Sequence, residues 1–203
     1  MTGVKICGLT LPEDVAAAAE LGAAYVGFNC SSASPRRVDL GRAAGLVRES
    51  RVARRVGVFV DEGEDEIRRA IDLLSLDLLQ FHRDLRPSDL EHGRPAVAVS
   101  RVAGGRAKMP EAGLLGRCRA LLLDTADPKR PGGTGMTFDW ALLDRIARPV
   151  PVWLAGGLNP ENVNEAIARA RPEVVDVASG VESAPGIKDR ARLEAFFLAV
   201  RSA

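Results

Sequence analysis

Two side chains of opposite acid–base character close apolar runs in this sequence. Cys7 ends the run in GVKICG (3–8), and Asp124 ends the run in CRALLLD (118–124). A thiol removes a proton only as thiolate, and a carboxyl donates one only while it still holds it. Together they suit proton transfer to one atom of a ligand and from another. Lys5, two residues before Cys7, is a candidate cation for favouring the thiolate. A second kind of chemistry is suggested by WLAGGLNPENV (153–163) and VASGVESAPGIKD (177–189), with Gly156-Gly157 in the first and Ser179-Gly180 in the second. Glycines let backbone N–H groups approach an anion closely, and a helix start favours negative charge, so these segments suit a phosphate.

Such residues act together only if the fold gathers them. Short β-branched runs recur at 3–8, 25–29, 54–60, 76–82, 96–102, 118–124, 150–157 and 173–180. Between them, helical spacing appears at 12–22, 64–75, 139–147 and 160–170, while PSDLEHG and PEAGLLG offer only short helical turns after the fourth and fifth runs. Thr10 with Glu13 and Asp61 with Glu64 read as capping boxes, and Asn159-Pro160 as an N-cap followed by proline. Strand–helix alternation implies a parallel sheet with right-handed crossovers. Eight such units in 203 residues predict one (β/α)₈ barrel domain spanning 1–203, preferred over a doubly wound sheet. In such a barrel the chemistry lies at the C-terminal strand ends. Side-chain alternation turns Lys5 and Cys7 inward on the first strand, and Leu122 and Asp124 inward on the sixth. The loops after strands seven and eight are where such barrels hold phosphate, and they lie between Asp124 and Cys7 around the ring.

Composition narrows the partners. The chain is 46% hydrophobic and 27% charged with a formal net charge of +1, so no basic excess points to nucleic acid. No run reaches the roughly 20 apolar residues of a membrane span, and the N-terminus lacks the pattern of a signal peptide. The three cysteines, Cys7, Cys30 and Cys118, have no CxxC spacing. That argues against a disulfide framework or zinc knuckle and for the reducing cytoplasm. Two histidines cannot make a histidine-rich metal site.

KICGLT, GF…SPRRV, VGVFV, LLQFH, LLLDT…GGTG, LAGGLNPENV and DVASGVE..PGIKD occur in order over nearly the whole chain. Together they resemble the phosphoribosylanthranilate isomerase family of tryptophan biosynthesis, barrels of the ribulose-phosphate-binding type. The resemblance implies an Amadori rearrangement of N-(5-phosphoribosyl)anthranilate to 1-(2-carboxyphenylamino)-1-deoxyribulose 5-phosphate, with no metal or cofactor. It implies Asp124 as general acid on the ring oxygen and Cys7 as general base at C2. It also implies Arg36 as the partner of the anthranilate carboxylate, and Gly156, Gly157, Ser179 and Gly180 as the phosphate site. Lys5 and Asp176 join the substrate-binding set. The family contains both monomers and homodimers.

The chain departs from the family pattern at Asn29-Cys30, where an aromatic is common, at Arg83 in place of a glycine, and at Ala98 in place of a lysine. These positions suggest an altered wall for the anthranilate pocket. Gln80 and His82 read either as a strand-end pair or as ligand contacts. Cys30 and Cys118 read as packing, with Cys30 close enough to the mouth to line it. Phe28, Phe59, Phe138, Trp140 and Trp153 read as core or interface, and GGTG (132–135) as a loop placed to close over substrate. Two other functions fit parts of the pattern: a phosphosugar-binding barrel without chemistry, and a related aminoaldose–ketose isomerase of broader range. The latter typically uses paired aspartates, against which Cys7 argues.

Overall fold

Every apolar run of the sequence becomes a strand, and the strands pair in chain order. β1 (Gly3–Cys7), β2 (Tyr25–Asn29), β3 (Arg54–Phe59), β4 (Leu78–Phe81), β5 (Ala96–Ala103), β6 (Ala120–Asp124), β7 (Val152–Ala155) and β8 (Val174–Val177) are parallel, each to the next. β8 pairs back onto β1, with Lys5 opposite Asp176, which closes the ring into an eight-stranded barrel. The structure is a computed structural model that describes residues 1–50, 52–103, 106–124 and 148–203. The expected helix at 139–147, the GGTG loop, Phe138 and Trp140 lie outside the described residues.

The outer layer comes from segments with helical spacing. α1 (Pro12–Glu20), α2 (Ala43–Glu49), α3 (Glu64–Leu74), α4 (Ala112–Leu115), α5 (Val163–Ala170) and α6 (Arg190–Arg201) follow β1, β2, β3, β5, β7 and β8. The connection after β4 holds only a 3₁₀ turn, Pro87–Leu90, and α4 is a single turn, as the short glycine-containing segments suggested. Alternation along the strands splits the apolar residues into two cores. Val4, Ile6, Leu121 and Leu123 pack under the helices. Val56, Leu78, Val97, Leu122, Trp153 and Val174 fill the barrel. Trp153 and Tyr25 meet inside it with ring centroids 4.6 Å apart.

Three expected helix starts are corrected. Thr10 does not cap α1: its Oγ donates to the Gly186 carbonyl at 2.6 Å, and Leu11 takes the N-cap position. The α3 cap is Gly63, whose amide donates to Glu66 Oε2 at 3.0 Å, in place of an Asp61–Glu64 box. Asn159 does bond the following turn, accepting from the amides of Glu161 and Asn162, but the regular helix begins later, at Val163. In the first case the hydroxyl is oriented toward a distant carbonyl rather than toward the local amides. Among the described residues no helix is long and apolar enough to cross a membrane.

Candidate active site

β1 delivers Lys5 and Cys7 to the interior as alternation predicts. The Lys5 ammonium bonds Asp176 Oδ2 at 2.7 Å, and the two side chains are 0% and 4% exposed. Both sequence-predicted binding residues are therefore committed first to each other, below the mouth. Asp176 Oδ1 is buried with no hydrogen-bond partner among the described residues, leaving one acceptor there. Cys7 sits above this pair, partly exposed. A Cβ built on Gly27 of β2 would stand 3.0 Å from Cys7 Sγ and 3.1 Å from Lys5 Nζ, so thiol and ammonium converge on that glycine. Burial pushes the Cys7 thiol up, Lys5 pulls it down, and Asp176 pushes it up again, for a net raised pKa. The expectation that Lys5 makes the resting thiol basic is corrected here. Its pull is real, but desolvation and the paired carboxylate outweigh it. Burial also opposes the Lys5 charge, yet Asp176 and Cys7 prevail and raise its pKa.

Asp124 ends β6 on the inward side, 23% exposed, with its Oδ2 3.9 Å from His82 Nδ1. Burial and then the negative charge of Asp176 raise its carboxyl above the usual range, against smaller opposing effects of Arg101 and Lys5. A carboxyl so placed holds its proton longer, as a general acid must. His82 is held at about 4 by burial, with Lys5 and Arg101 adding to the effect, so it is neutral at pH 7. Its Nε2 lies 2.8 Å from Gln80 Nε2, and its carbonyl accepts from Arg101 Nη2 at 3.1 Å. The two side chains therefore form the strand-end pair, and His82 also faces Asp124. Arg101 is opposite Asp124 in the β5–β6 register and went unnoticed in the sequence, although its inward parity matches that of Val97 and Val99.

Arg36 lies in the loop after β2. Its Nε donates to Glu182 Oε1 and Oε2 at 2.9 and 3.1 Å, and its Nη2 donates to Oε2 at 2.7 Å. Gly8 makes this possible. Its φ is +72°, and a Cβ there would stand 2.6 Å from Arg36 Cδ, so the arginine lies directly across the end of β1. Lys188 is the residue sequence reasoning most clearly missed. Its buried ammonium donates to Glu182 Oε1 at 2.8 Å, to the Cys7 carbonyl at 2.6 Å and to the Ala178 carbonyl at 3.3 Å. The available signal was two charged residues flanking a Pro-Gly turn in GVESAPGIKD.

The loops after β7 and β8 face each other. Gly157, Leu158, Asn159, Ser179, Gly180 and Arg192 are among the residues that line a cavity of about 250 Å³ between them. Gly156 and Gly157 have φ of +91° and +64°, which a residue with a side chain adopts only at a cost. Gly180 lies in the 3₁₀ turn Ser179–Val181, and any Cβ on it would collide with the Leu158 carbonyl. Arg192 of α6, another residue missed in the sequence, adds a cation to the cavity wall and donates from Nη1 to the Glu182 carbonyl at 2.7 Å.

The departures from the family pattern mostly point elsewhere. Arg83 lines a cavity together with His82 and Arg101, next to Asp124. It pairs with buried Asp89 at 2.5 Å, donates to the Val60 carbonyl at 3.0 Å and stacks over Phe81 at 4.9 Å, joining the connections after β3 and β4. Ala98 is fully buried on the helix side of β5. Asn29 bonds its own loop through the Ser31 amide. Cys30 lines a groove with Arg37, Asp39, Glu62 and Arg69, and burial, aided by Glu62, pushes its thiol up to about 12. Cys118 is buried, as a packing residue should be. Among the described residues no cluster of three or more His, Cys, Asp or Glu could hold a metal ion.

A family model described as N-(5'-phosphoribosyl)anthranilate (PRA) isomerase matches residues 4–199. The chain is 45% identical over 202 residues to the N-(5'-phosphoribosyl)anthranilate isomerase of Pseudomonas putida, covering 98% of this chain and 97% of that one. Its fold is similar to the crystal structure of phosphoribosyl anthranilate isomerase from Thermotoga maritima, with TM-score 0.85 and 34% identity over the full length of both. A further structure of a phosphoribosyl anthranilate isomerase, similar at TM-score 0.80 and 32% identity over both full chains, is a complex with reduced 1-(o-carboxyphenylamino)-1-deoxyribulose 5-phosphate.

Proposed function

The chain belongs to the N-(5'-phosphoribosyl)anthranilate isomerase family, and on that premise we propose that Asp124 and Cys7 carry the two proton transfers of its reaction. It is an isomerase of tryptophan biosynthesis, converting an aldose-derived amine into the corresponding ketose. The substrate phosphate lies between the loops of Gly156-Gly157 and Ser179-Gly180, where positive-φ glycines and Arg192 support an anion. The anthranilate carboxylate meets Arg36, a planar fork suited to a carboxylate. The ribose then spans the mouth between β6 and β1, and one of its hydroxyls satisfies the unpartnered Asp176 Oδ1.

Asp124 gives its proton to the furanose ring oxygen. The C1–O bond breaks, and the anthranilate nitrogen supplies the electrons for a protonated Schiff base. That cation acidifies the C2–H bond and favours a thiolate beside it, which answers the raised resting pKa of Cys7. Cys7 takes the C2 proton, leaving an enolamine. Proton return to C1 and loss of the O2 proton give the ketone, so atoms and charge balance without a redox partner. Carbon oxidation is only redistributed between C1 and C2, and proton transfers suffice.

The observation that carries this reading is geometric: Asp124 and Cys7 both end strands on the inward side at the mouth, and burial together with the Asp176 charge favours a proton on each. The three cysteines are unpaired, which supports a reducing, cytoplasmic setting. Complementation of a strain lacking this isomerase tests the assignment: the wild-type chain should restore growth without tryptophan, while Cys7→Ala and Asp124→Asn should not. Growth of the Cys7→Ala strain at equal expression would remove Cys7 as the base.

A further inference from the structure

Glu182 and Lys188 are opposite one another in a short hairpin, Glu182–Ala184 against Ile187–Lys188, and both are 6% exposed. The hairpin is tied to α1 by the Lys188 amide, which donates to Asp14 Oδ2 at 2.8 Å. All the bonding capacity of the pair is turned inward. Glu182 Oε1 accepts from Arg36 Nε, from Lys188 Nζ and, at 3.3 Å, from the Gly186 amide, while Oε2 accepts from both Nε and Nη2 of Arg36. The three ammonium hydrogens of Lys188 match its three acceptors: Glu182, the end of β1 and the end of β8. A carboxylate so saturated has nothing left for a ligand. Two buried charges are also a poor way to fill space, because apolar residues of similar volume do it with no desolvation penalty. What the pair does supply is orientation. Arg36 is gripped along its Nε–Nη2 edge, and among the described residues its Nη1 takes no partner.

We propose that Glu182 and Lys188 are positioning residues for substrate binding. Glu182 fixes the Arg36 guanidinium so that its outer edge meets the substrate carboxylate. Lys188 balances the Glu182 charge and, through the Cys7 carbonyl, joins that guanidinium to the strand end that carries the thiol. This deepens the reading of Arg36 as the carboxylate partner and rests on it.

The test compares two substrates, N-(5-phosphoribosyl)anthranilate and N-(5-phosphoribosyl)aniline, which lacks the carboxylate. Glu182→Gln should lower kcat/KM for the first by about 10- to 100-fold, mainly through KM, and leave the second within about threefold. Arg36→Met should show the same selectivity, and the double variant should be no worse than Arg36→Met alone, since both remove one interaction. Equal losses on both substrates for Glu182→Gln, with Arg36→Met still selective, would overturn the positioning role while keeping Arg36 as the carboxylate partner. A non-selective Arg36→Met would remove that partner assignment, and the positioning role with it. If Glu182→Gln does not fold, Glu182→Asp serves instead. It keeps the charge but draws the guanidinium back by one methylene, so a selective loss supports the proposal and an equal loss overturns it.

Discussion

The interior of the barrel has two levels that obey the same alternation and are built on opposite principles. The lower one is apolar, with Val56, Leu78, Val97, Leu122, Trp153 and Val174 packed against one another. The upper one is polar, with the Lys5–Asp176 ion pair, Gln80, His82 and Asp124. Below, a residue is specified mainly by volume, and its neighbours can share the loss if it changes. Above, each group is specified by a partner. Asp176 illustrates this: one carboxylate holds Lys5 in place while raising both Asp124 and Cys7. Strand parity decides which way a side chain points. Its height along the strand decides whether its neighbours are apolar side chains or charged and hydrogen-bonding ones.

Exchanging one side chain at each level gives the sharpest contrast. Cys7→Ala and Asp124→Asn should each lower kcat by about a thousandfold with the thermal midpoint nearly unchanged, read by steady-state kinetics and calorimetry. Trp153→Ala should do the reverse, losing about 3–5 kcal/mol in urea unfolding while the folded fraction keeps a near-normal kcat. A severe loss of kcat in folded Trp153→Ala would mean that the two levels are mechanically coupled and the contrast is false.

Asp176→Asn tests whether one carboxylate links stability and chemistry. Leaving Lys5 buried without its partner should cost about 3 kcal/mol. Removing a negative charge lowers the pKa of both neighbouring acids, so both limbs of the pH profile of kcat/KM should move to lower pH. Limbs that stay in place would show that Asp176 has no hold on either group. The smallest effect belongs to His82. Its folded pKa of about 4 lies below the ordinary 6.5, so protonation favours the unfolded chain. The stability it supports is present above pH 6.5 and is lost as pH falls toward 4. Urea unfolding should therefore weaken by about 2 kcal/mol more between pH 7 and 5 in wild type than in His82→Gln.

Much of the barrel was legible because it is written locally: runs of Val, Leu and Ile at regular intervals, and parity that turned Lys5, Cys7, Leu122 and Asp124 inward. Some of the unread parts depend on contacts between the two ends of the chain. Lys5 and Asp176 belong to the first and last strands, and nothing in either segment announces the other as its partner. Thr10 looked like a cap because the carbonyl it bonds lies far along the chain, at Gly186. The raised pKa of Cys7 escaped a reading based on Lys5 alone, since burial is a collective property of the folded chain. Arg83 was legible as a departure beside His82, but its ties to Asp89 and Phe81 were not.

Gly27 has an evolutionary consequence. It faces Cys7 Sγ and Lys5 Nζ across a gap that a single methyl group would fill. Every single-residue replacement at that position adds at least that methyl, so each path from it meets the thiol or the ammonium. A side chain at this one position must therefore first displace Cys7 or Lys5.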